Sequence, residues 1–588
     1  MAETWEARFR APRWRLPAWA AHRPGRCVVN GSAGGVWEIY AWDADTGAAP
    51  RRVTSRPNGT RGMAITPDGE DVWWFADRDG DEFGIWMQQP FDGGPDRPAA
   101  ALDPAYPAGL VLGRSLALVG RSTDEGTAIH VVPKDGGEPR VLYGSAHDAH
   151  VAALSDDESL AVIAHSEHGD SRHMALRVLR LDGSPVADLW DGPGKGLSTA
   201  GFPTRRGDSR LLVGHERRGR EELLVWDPLT GEVTELAIDL PGELAGEWYA
   251  DGSAVLVHRE HQGRADLHRY DVATGTVEPL ATPRGLVAGA TPRPDGSVWF
   301  AWSSAAQRPQ ILDLAGREVL APPGPLPPPS VDVEDVFVER PYGTVHALLS
   351  RPPGSAPYAG VFVVHGGPTD NDADTWRPDV ASHVDDGYAV VQVNYRGSTG
   401  YGSAWRDAIE ASPGLTELED IRAVREHLVA AGVLRDDAVA LVGASWGGYL
   451  TLLGLGTQPD AWAAGVAEVP VADYVAAYED EMEPLRAFDR SLFGGSPEEV
   501  PDRYRAASPI TYVGDVRAPV LVVAGANDPR CPIRQIDNYL AALERRGAAH
   551  EVYRYDAGHG SLVVEEQIRQ QAAALDFIRR HMPAADSP

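Results

Sequence analysis

The chain has 588 residues, and single hydrophobic cores stop growing at roughly 250–300 residues, so we expect at least two large domains. Its composition, 43% hydrophobic and 24% charged, is ordinary for a globular protein. The formal net charge of −31 argues against nucleic acids and anionic membranes as partners, because both repel an acidic surface.

The N-terminal segment, residues 1–25, contains scattered arginines and tryptophans and no apolar stretch of signal-peptide length. We treat it as a separate segment, with packing on the C-terminal domain as one option. No part of the chain approaches the ~20 apolar residues of a membrane-spanning helix. The only two cysteines, Cys27 and Cys531, lie far apart in the sequence. These features together predict a cytoplasmic protein.

A repeated turn signal organises residues 26–320. An apolar strand, an Asp/Gly turn and a second strand recur, and the steps between the turn glycines are 41 to 48 residues; these glycines are Gly47, Gly93, Gly136, Gly183, Gly231, Gly275 and Gly316. A second turn signal runs out of phase with the first, which implies about four strands per period. Seven such periods predict a seven-bladed β-propeller. A β-sandwich or an irregular all-β domain would not explain the regular period.

A proline-rich connector is predicted at residues 321–335, because a run of prolines extends neither a sheet nor a helix. The pattern then changes over residues 336–588. Short apolar strands are predicted at 360–364, 389–393, 438–442 and 519–523, and helices at 417–431 and 565–581. Strands alternating with helices predict a doubly wound α/β domain with a mostly parallel sheet.

A candidate nucleophile follows the strand at 438–442. The chain continues as Gly443-Ala444-Ser445-Trp446-Gly447-Gly448 and then enters an apolar helix. This is a G-x-S-x-G motif in strand–turn–helix context, where the turn is tight and exposes the serine above the sheet. The context favours a catalytic role for Ser445 over a structural one.

A serine nucleophile needs a base and an orienting carboxylate, expected in the chain order Ser, Asp, His. Asp528 follows the strand at 519–523, and His559 lies between glycines after a strand-like stretch at 551–555. His550 and Asp556 are weaker local competitors. The sequence therefore predicts a Ser445–Asp528–His559 triad.

Two backbone N–H groups are predicted to stabilise the negative charge that develops on the substrate oxygen. One belongs to Trp446, the residue after the nucleophile. The other is assigned to Gly367, in the loop His365-Gly366-Gly367-Pro368 that follows the strand at 360–364. An ordinary Gly–Pro turn is the alternative interpretation of that loop.

Several segments together resemble the prolyl oligopeptidase family of serine peptidases, nearest its acylaminoacyl-peptidase and dipeptidyl-aminopeptidase-like branch. They are His365–Pro368, the segment Asn394-Tyr395-Arg396-Gly397-Ser398-Thr399-Gly400-Tyr401-Gly402, Gly443–Tyr449, Asp528–Pro532 and Gly558–Gly560. The resemblance implies a propeller that caps the active site and restricts substrates to short peptides.

The resemblance also implies roles near the substrate. His365 and Gly367 are expected to line the oxyanion side, and Arg396 is expected to help order the site. The candidate substrate-binding residues are His365, Tyr395, Arg396 and Val471. Val471 would line an apolar side-chain pocket, and a core role is an equally good interpretation of it. In dipeptidyl-peptidase relatives, two propeller glutamates bind the free amine of the substrate. The candidates for such a pair are Glu216, Glu221 and Glu222, for which the sequence favours a solvated charged surface.

The expected function is hydrolysis of short or N-blocked peptides by a serine peptidase. An amide or ester of a small metabolite, such as an aminoacyl-nucleoside, remains open as an alternative substrate, because the triad is indifferent to the acyl group. A scaffold with an inactive catalytic domain is a third interpretation. No metal or nucleotide motif is found, so no cofactor is expected. The sequence leaves a homo-oligomer open.

Overall fold

The computed structural model describes residues 4–168 and 170–582. Residues 1–3 of the predicted N-terminal segment, residue 169 of the predicted propeller and residues 583–588 of the predicted C-terminal domain lie outside the described part.

Seven antiparallel sheets follow one another along the first half of the chain. The first three comprise β1 (Ala18–Ala20), β2 (Arg23–Gly31), β3 (Glu38–Asp43) and β4 (Arg51–Arg52); β5 (Met63–Ile65), β6 (Asp71–Asp77), β7 (Gly84–Pro90) and β8 (Arg97–Pro98); and β9 (Tyr106–Leu112), β10 (Leu116–Thr123), β11 (Gly126–Pro133) and β12 (Arg140–Ser145). The next two comprise β13 (Ala149–Leu154), β14 (Leu160–His165), β15 (Ala175–Arg180) and β16 (Pro185–Leu189); and β17 (Leu197–Gly201), β18 (Leu211–His215), β19 (Glu222–Asp227) and β20 (Glu232–Glu235). The last two comprise β21 (Glu243–Trp248), β22 (Ala254–His261), β23 (Arg264–Asp271) and β24 (Val277–Pro279); and the three-stranded sheet β25 (Leu286–Pro292), β26 (Val298–Ser303) and β27 (Gln310–Asp313). The predicted seven-bladed propeller is confirmed.

The sequence period corresponds to one turn in each blade. Gly47 lies between the third and fourth strands of blade 1, and Gly231 occupies the same place in blade 5. Both have positive φ, 67° and 78°, which only glycine adopts without strain. Neighbouring blades bury their apolar faces against each other, as Val162 of β14 and Val213 of β18 do in one core. Each blade is therefore stabilised mainly by the next one.

The second half of the chain forms one eight-stranded sheet. Its strands are β28 (Val333–Arg340), β29 (Gly343–Ser350), β30 (Tyr358–Val364), β31 (Ala389–Asn394), β32 (Leu434–Ala444), β33 (Ala464–Glu468), β34 (Val520–Gly525) and β35 (His550–Tyr555). Their order is β28-β29-β31-β30-β32-β33-β34-β35. β28, β29 and β31 pair antiparallel, and from β31 onward all neighbours are parallel. The predicted α/β domain is confirmed.

Helices cover both faces of this sheet. They are α1 (Thr4–Arg10), α2 (Pro378–Asp385), α3 (Ser403–Arg406), α4 (Leu415–Ala430), α5 (Trp446–Thr457), α6 (Tyr474–Asp480), α7 (Glu483–Phe493), α8 (Pro501–Ala507), α9 (Ile533–Arg546) and α10 (Val564–His581), with 3₁₀ turns at Asp407–Ala411 and Pro509–Asp515. The predicted strands and the two predicted helices are confirmed, with limits shifted by a few residues. Among the described residues, none of the helices combines the length and the apolar character needed to cross a bilayer.

The two ends of the predicted propeller differ slightly from its predicted limits. Strand β1 lies within the predicted N-terminal segment 1–25, and β28 begins within the predicted connector 321–335. Helix α1 contacts the catalytic side of the molecule, where Trp5 and Phe9 share a small core with Val564 and Ile568 of α10.

The propeller and the α/β domain are joined by direct contacts between named groups. Glu243 of blade 6 accepts the backbone N–H groups of Gly400 and Gly402 at 2.8 and 2.9 Å. An isolated antiparallel bridge links Val36 of blade 1 to Val563, just before α10. The loop ends of the propeller therefore lie directly against the carboxyl edge of the catalytic sheet, where the candidate site is found.

Candidate active site

Ser445 occupies a strained turn between β32 and α5. Its φ and ψ are 57° and −119°, a conformation that costs of order 1–3 kcal/mol and persists only where the surroundings impose it. The surroundings do so through close backbone packing. A Cβ added at Gly443 would lie 2.4 Å from the Gly447 carbonyl carbon, and one added at Gly447 would lie 2.1 Å from Val364 O. The glycines of the motif are therefore a steric requirement, as the sequence predicts.

Asp528 is held by the loop that follows β34. Its Oδ1 accepts the backbone N–H groups of Arg530 and Cys531 at 2.8 and 3.0 Å. Its Oδ2 lies 2.7 Å from His559 Nδ1, and the Asp528 side chain is only 1% exposed. Because the carboxylate can only accept, His559 Nδ1 carries the donated hydrogen, and Nε2 is left as the basic nitrogen.

His559 is positioned by a short loop after β35. The Tyr555 hydroxyl donates to Gly558 O and accepts the N–H of Gly560, both at 3.0 Å. Within the described part of the chain, no hydrogen bond joins Ser445 Oγ to His559. Such bonds are often long without substrate and shorten in the productive complex. The structure thus joins two of the three predicted triad members directly.

The local competitors have other partners. His550 Nδ1 bonds to Ala548 O at 2.9 Å, and Asp556 Oδ1 accepts from Asn527 Nδ2 at 3.0 Å. Neither side chain shares a hydrogen bond with Ser445 or His559. The geometry therefore favours Asp528 and His559 over both competitors.

The two segments that carry the predicted oxyanion donors meet beside Ser445. The N–H of Trp446 is the first of α5 and has no acceptor inside the helix. A Cβ added at Gly366 would lie 3.4 Å from Ser445 Cβ and 3.7 Å from Trp446 N, so the His365–Pro368 loop passes beside the nucleophile. Gly367, with φ 120°, directs its missing side chain toward Thr369 and Asp370.

His365 and Tyr395 are interior residues that hold this loop. His365 Nδ1 lies 2.7 Å from Gly366 O and Nε2 lies 2.8 Å from Ser398 Oγ. The Tyr395 hydroxyl donates to His365 O at 2.9 Å, and the two rings stack with centroids 4.2 Å apart. Burial lowers the pKa of His365 to about 4, so the ring is neutral at ordinary pH. Both residues position the loop that runs beside Ser445, and their contact with substrate stays a prediction.

Arg396 and Val471 both have partners within the protein. Arg396 pairs with Glu419 and Asp420 at 2.6 and 3.0 Å and stacks on Tyr342 at 3.6 Å, so it orders the segment after β31, as the resemblance implies. Val471 is buried in the main core of the catalytic domain, which is the alternative that the sequence leaves open for it. Contact of either residue with substrate stays a prediction.

Glu417 is a contributor that the sequence did not reveal. Its Oε1 accepts the indole N–H of Trp446 at 3.2 Å, and its Oε2 accepts the N–H of Gly414 at 2.7 Å. Burial raises the pKa of Glu417 to about 8. The carboxyl group fixes the side chain that follows the nucleophile. No local sequence signal distinguishes it from other glutamates on α4.

Glu216 and Glu222 are buried, and Glu216 lies at the domain interface, so the expectation of a solvated charged surface is wrong for these two residues. Glu216 accepts from Ser403 Oγ at 2.9 Å and pairs with Arg406, and Glu222 pairs with Arg218 and Arg220. Burial, with Glu243 and Glu216 nearby, raises the pKa of Glu221 to about 7. The burial of Glu216 cannot be read from the local sequence, because the helix that covers this residue, α3, belongs to the other domain.

Blade 4 contains three side chains close enough together to hold a metal ion, but they already bond to other protein groups. His165, His168 and Asp188 bring their ligand atoms within 4.8 Å of one another, which the spacing of these histidines did not suggest. Arg177 donates two hydrogen bonds to Asp188 Oδ2 at 2.9 and 2.6 Å. The other oxygen, Oδ1, lies 3.3 Å from His165 Nε2 and 3.8 Å from His168 Nε2, so the carboxylate already has partners on both oxygens.

A cavity of about 220 Å³ lies beside His559, between the first two blades and the catalytic domain. Its walls include Arg61, Phe75 and Trp86 from the propeller and Arg530, His559 and Leu562 from the catalytic domain. No local sequence signal marks the propeller residues of this cavity, because the cavity exists only where the two domains meet.

Comparisons with known proteins agree with this geometry. Residues 374–584 match the model of the prolyl oligopeptidase family. The chain is 30% identical over 281 residues to dipeptidyl peptidase family member 6 of Caenorhabditis elegans, covering 43% of this chain and 38% of the relative. It is 26% identical over 386 residues to the acylamino-acid-releasing enzyme of Rattus norvegicus, covering 63% of this chain and 49% of the relative. The matches thus span less than half the length of these relatives.

Among solved structures, a puromycin hydrolase has a similar fold across the whole chain. It superposes with a TM-score of 0.82 at 24% identity, covering 100% of this chain and 98% of that one. The two-domain architecture, and not only the catalytic domain, is therefore shared.

Proposed function

Because residues 374–584 match the model of the prolyl oligopeptidase family, we propose that this protein is a serine peptidase that hydrolyses short peptides. The observation that carries the proposal is the 2.7 Å hydrogen bond between Asp528 and His559, combined with the strained turn at Ser445. These residues follow one another in the chain order of α/β-hydrolase triads.

The proposed reaction has two stages. Ser445 Oγ attacks the scissile carbonyl carbon while His559 Nε2 takes its proton, and the N–H groups of Trp446 and Gly367 stabilise the oxyanion. His559 then donates that proton to the leaving amine, which departs and leaves an ester on Ser445. Water, deprotonated by His559, attacks this ester and releases the acid and the free serine.

Contacts at the site support a restriction to small substrates. A Cβ added at Gly80, in blade 2, would lie 2.7 Å from Gly558 N, and Asn527 Nδ2 donates to Asp79 O at 3.3 Å. The propeller therefore lies against the loop that carries His559. A folded protein cannot reach Ser445 past such contacts, whereas a short peptide needs only a small opening between the domains.

A small-metabolite amide is the second candidate. One structure with this architecture is named a puromycin hydrolase. The triad would treat the amide of an aminoacyl-nucleoside as it treats a peptide bond, because the nucleophile contacts only the carbonyl. N-blocked peptides belong to the first candidate, since a relative is named an acylamino-acid-releasing enzyme.

The test combines labelling with a substrate panel. A fluorophosphonate probe should label the wild type and not the folded Ser445→Ala variant. A panel of aminoacyl, N-acetyl-aminoacyl and dipeptidyl anilides, with puromycin added, then separates the candidates. Absence of labelling in well-folded wild-type protein would favour the inactive scaffold instead.

We also propose a cytoplasmic location. Cys27 and Cys531 are both free and buried, which suits a reducing compartment. Fractionation of the source cells, with activity followed by the same probe, tests this.

A further inference from the structure

The cavity beside His559 has one cationic side chain without a partner. In the part of the chain that the structure describes, Arg61 has no hydrogen bond and no ion pair, although its side chain is exposed to the cavity. A methyl group added at Gly560, next to His559, would lie 4.0 Å from Arg61 Nη2. The guanidinium therefore reaches the catalytic loop.

The carboxylates around the cavity are already paired with other arginines. Glu82 pairs with Arg530 at 3.0 Å, and Asp77 pairs with Arg56 at 2.8 Å. Burial lowers the pKa of Arg61, and the charges of Arg15 and Arg530 lower it further, while Glu82 opposes them. Among the described residues, Arg61 is thus a cation with exposed donors and no carboxylate bonded to it, which leaves its guanidinium open to a bound anion.

The position of the cavity indicates which part of a substrate it faces. His559 must donate a proton to the leaving amine, so the leaving group lies on the His559 side of the scissile bond. One residue spans about 3.3–3.6 Å along an extended chain, so a carboxylate one or two residues beyond that nitrogen falls within reach of a guanidinium near Gly560. Pockets for drug-sized ligands measure about 300–1,000 Å³, so a cavity of 220 Å³ suits a smaller group.

We propose that Arg61 is a specificity-determining residue that binds the free carboxylate of the leaving group. The inference rests on the proposed peptidase function and narrows its substrates to peptides that release a single amino acid or a dipeptide with a free C-terminus. Arginine suits this role because its planar donors match a carboxylate in a bidentate arrangement. The aromatic rings of Phe75 and Trp86 form apolar walls for the side chain of the leaving residue.

The test compares leaving groups that differ only in charge. A set of N-acetylated di- and tripeptides is prepared as free acids and as C-terminal amides, and kcat/KM is measured for each pair. The wild type should favour the acid by about tenfold or more, the strength of a hydrogen-bonded charge pair. Arg61→Gln should bring the acid-to-amide ratio close to one. The matched control Arg114→Gln, at an exposed pair with Asp156, should keep the wild-type ratio.

Two further arms make the outcomes distinct. A C-terminal amide with a glutamate as its leaving residue tests a side-chain carboxylate, and preference for that peptide over the free acids would overturn the proposal. Equal rates for acids and amides in the wild type, or an unchanged ratio in Arg61→Gln, would also overturn it. Ser445-dependent turnover of neutral anilides tests the peptidase function separately. If no substrate turns over, calorimetric binding of the acid and amide peptides to Ser445→Ala still decides the role of Arg61.

Discussion

The guanidinium of Arg406, in the catalytic domain, pairs with the carboxylate of Glu216, in the propeller, and the Glu216 side chain is only 5% exposed. Gly196 N–H and Ser403 Oγ also donate to Glu216, at 2.8 and 2.9 Å, so the carboxylate is fully bonded. Removing one partner of a buried ion pair is destabilising, because the remaining charge is then buried with neither water nor a counter-charge.

Arg406→Met should remove this pair and lower the free energy of unfolding by about 3 kcal/mol or more. Hydrogen exchange of the Gly400–Arg406 backbone, together with urea unfolding, measures the effect. Arg422→Met is the matched control, since Arg422 pairs with Glu426 on the exposed face of α4, and such pairs contribute about 0.5 kcal/mol or less. Similar losses of unfolding free energy in the two variants would show that the Arg406–Glu216 pair contributes no more than an exposed pair.

Asp528→Asn should lower kcat by about 10³–10⁴-fold with little change in stability. The amide oxygen can still accept the N–H groups of Arg530 and Cys531, which hold the loop, but the amide nitrogen cannot accept from His559 Nδ1. The imidazole then presents the wrong tautomer to Ser445. Steady-state kinetics with a chromogenic amide measures the loss. Asp556→Asn, three residues before His559, should remain within severalfold of the wild type, and a comparable loss there would contradict the assigned triad.

Gly366→Ala should reduce kcat by about 10²-fold and change KM less. The new methyl group would lie 3.0 Å from Ala444 O and 3.4 Å from Ser445 Cβ, so the loop or the nucleophile must shift by a few tenths of an ångström. Displacement of a reacting group on this scale has large kinetic effects. Gly144→Ala in blade 3, where the added methyl group meets nothing within 4 Å, is the control. A kcat for Gly366→Ala equal to that of the wild type would show that the loop accommodates the methyl group without displacing Ser445.

The sequence predicted the elements whose signals are local. The turn glycines of each blade adopt positive φ, and the glycines around Ser445 allow close backbone approach. Both requirements place glycines at a fixed spacing that can be recognised in the sequence. The relation between Asp528 and His559 was predictable because each follows a strand that ends at the same edge of a parallel sheet. For these residues, chain order and strand ends determine the spatial arrangement.

The remaining features depend on contacts between distant parts of the chain. Glu216 resembles a surface residue until Arg406, 190 positions later, covers it. Arg61 becomes part of a site only because blades 1 and 2 meet the loop after β35. Arg396 differs from these two residues, because its family-specific motif already implied that it helps to order the site. Its guanidinium pairs with Asp420 and orders the segment after β31. The motif identified the residue, whereas its partner on α4 could only be read from the structure.

His173, in blade 4, links the domain interface to pH. Burial alone would lower the pKa of this histidine, but hydrogen bonds to Asp170 and to Asp407 of the catalytic domain outweigh burial and raise the pKa to about 9. Arg406 Nη2, 3.0 Å from His173 Nε2, opposes protonation without reversing it. An unfolded histidine titrates near 6.5. Its contribution to stability is therefore complete below about pH 6.5 and is lost as the pH rises through about 9.

His173→Gln should accordingly be less stable than the wild type by on the order of 1–3 kcal/mol at about pH 6, and the difference should shrink toward about pH 9.5. Urea unfolding at several pH values measures both proteins. His147→Gln, at an exposed position in the same propeller, is the matched control and is unfolded at the same pH values. A stability difference for His173→Gln that stays constant with pH would mean that the imidazole is neutral in the folded protein. The Asp170–His173–Asp407 cluster would then hold the domains together by shape and hydrogen bonding, without a cation between the two carboxylates.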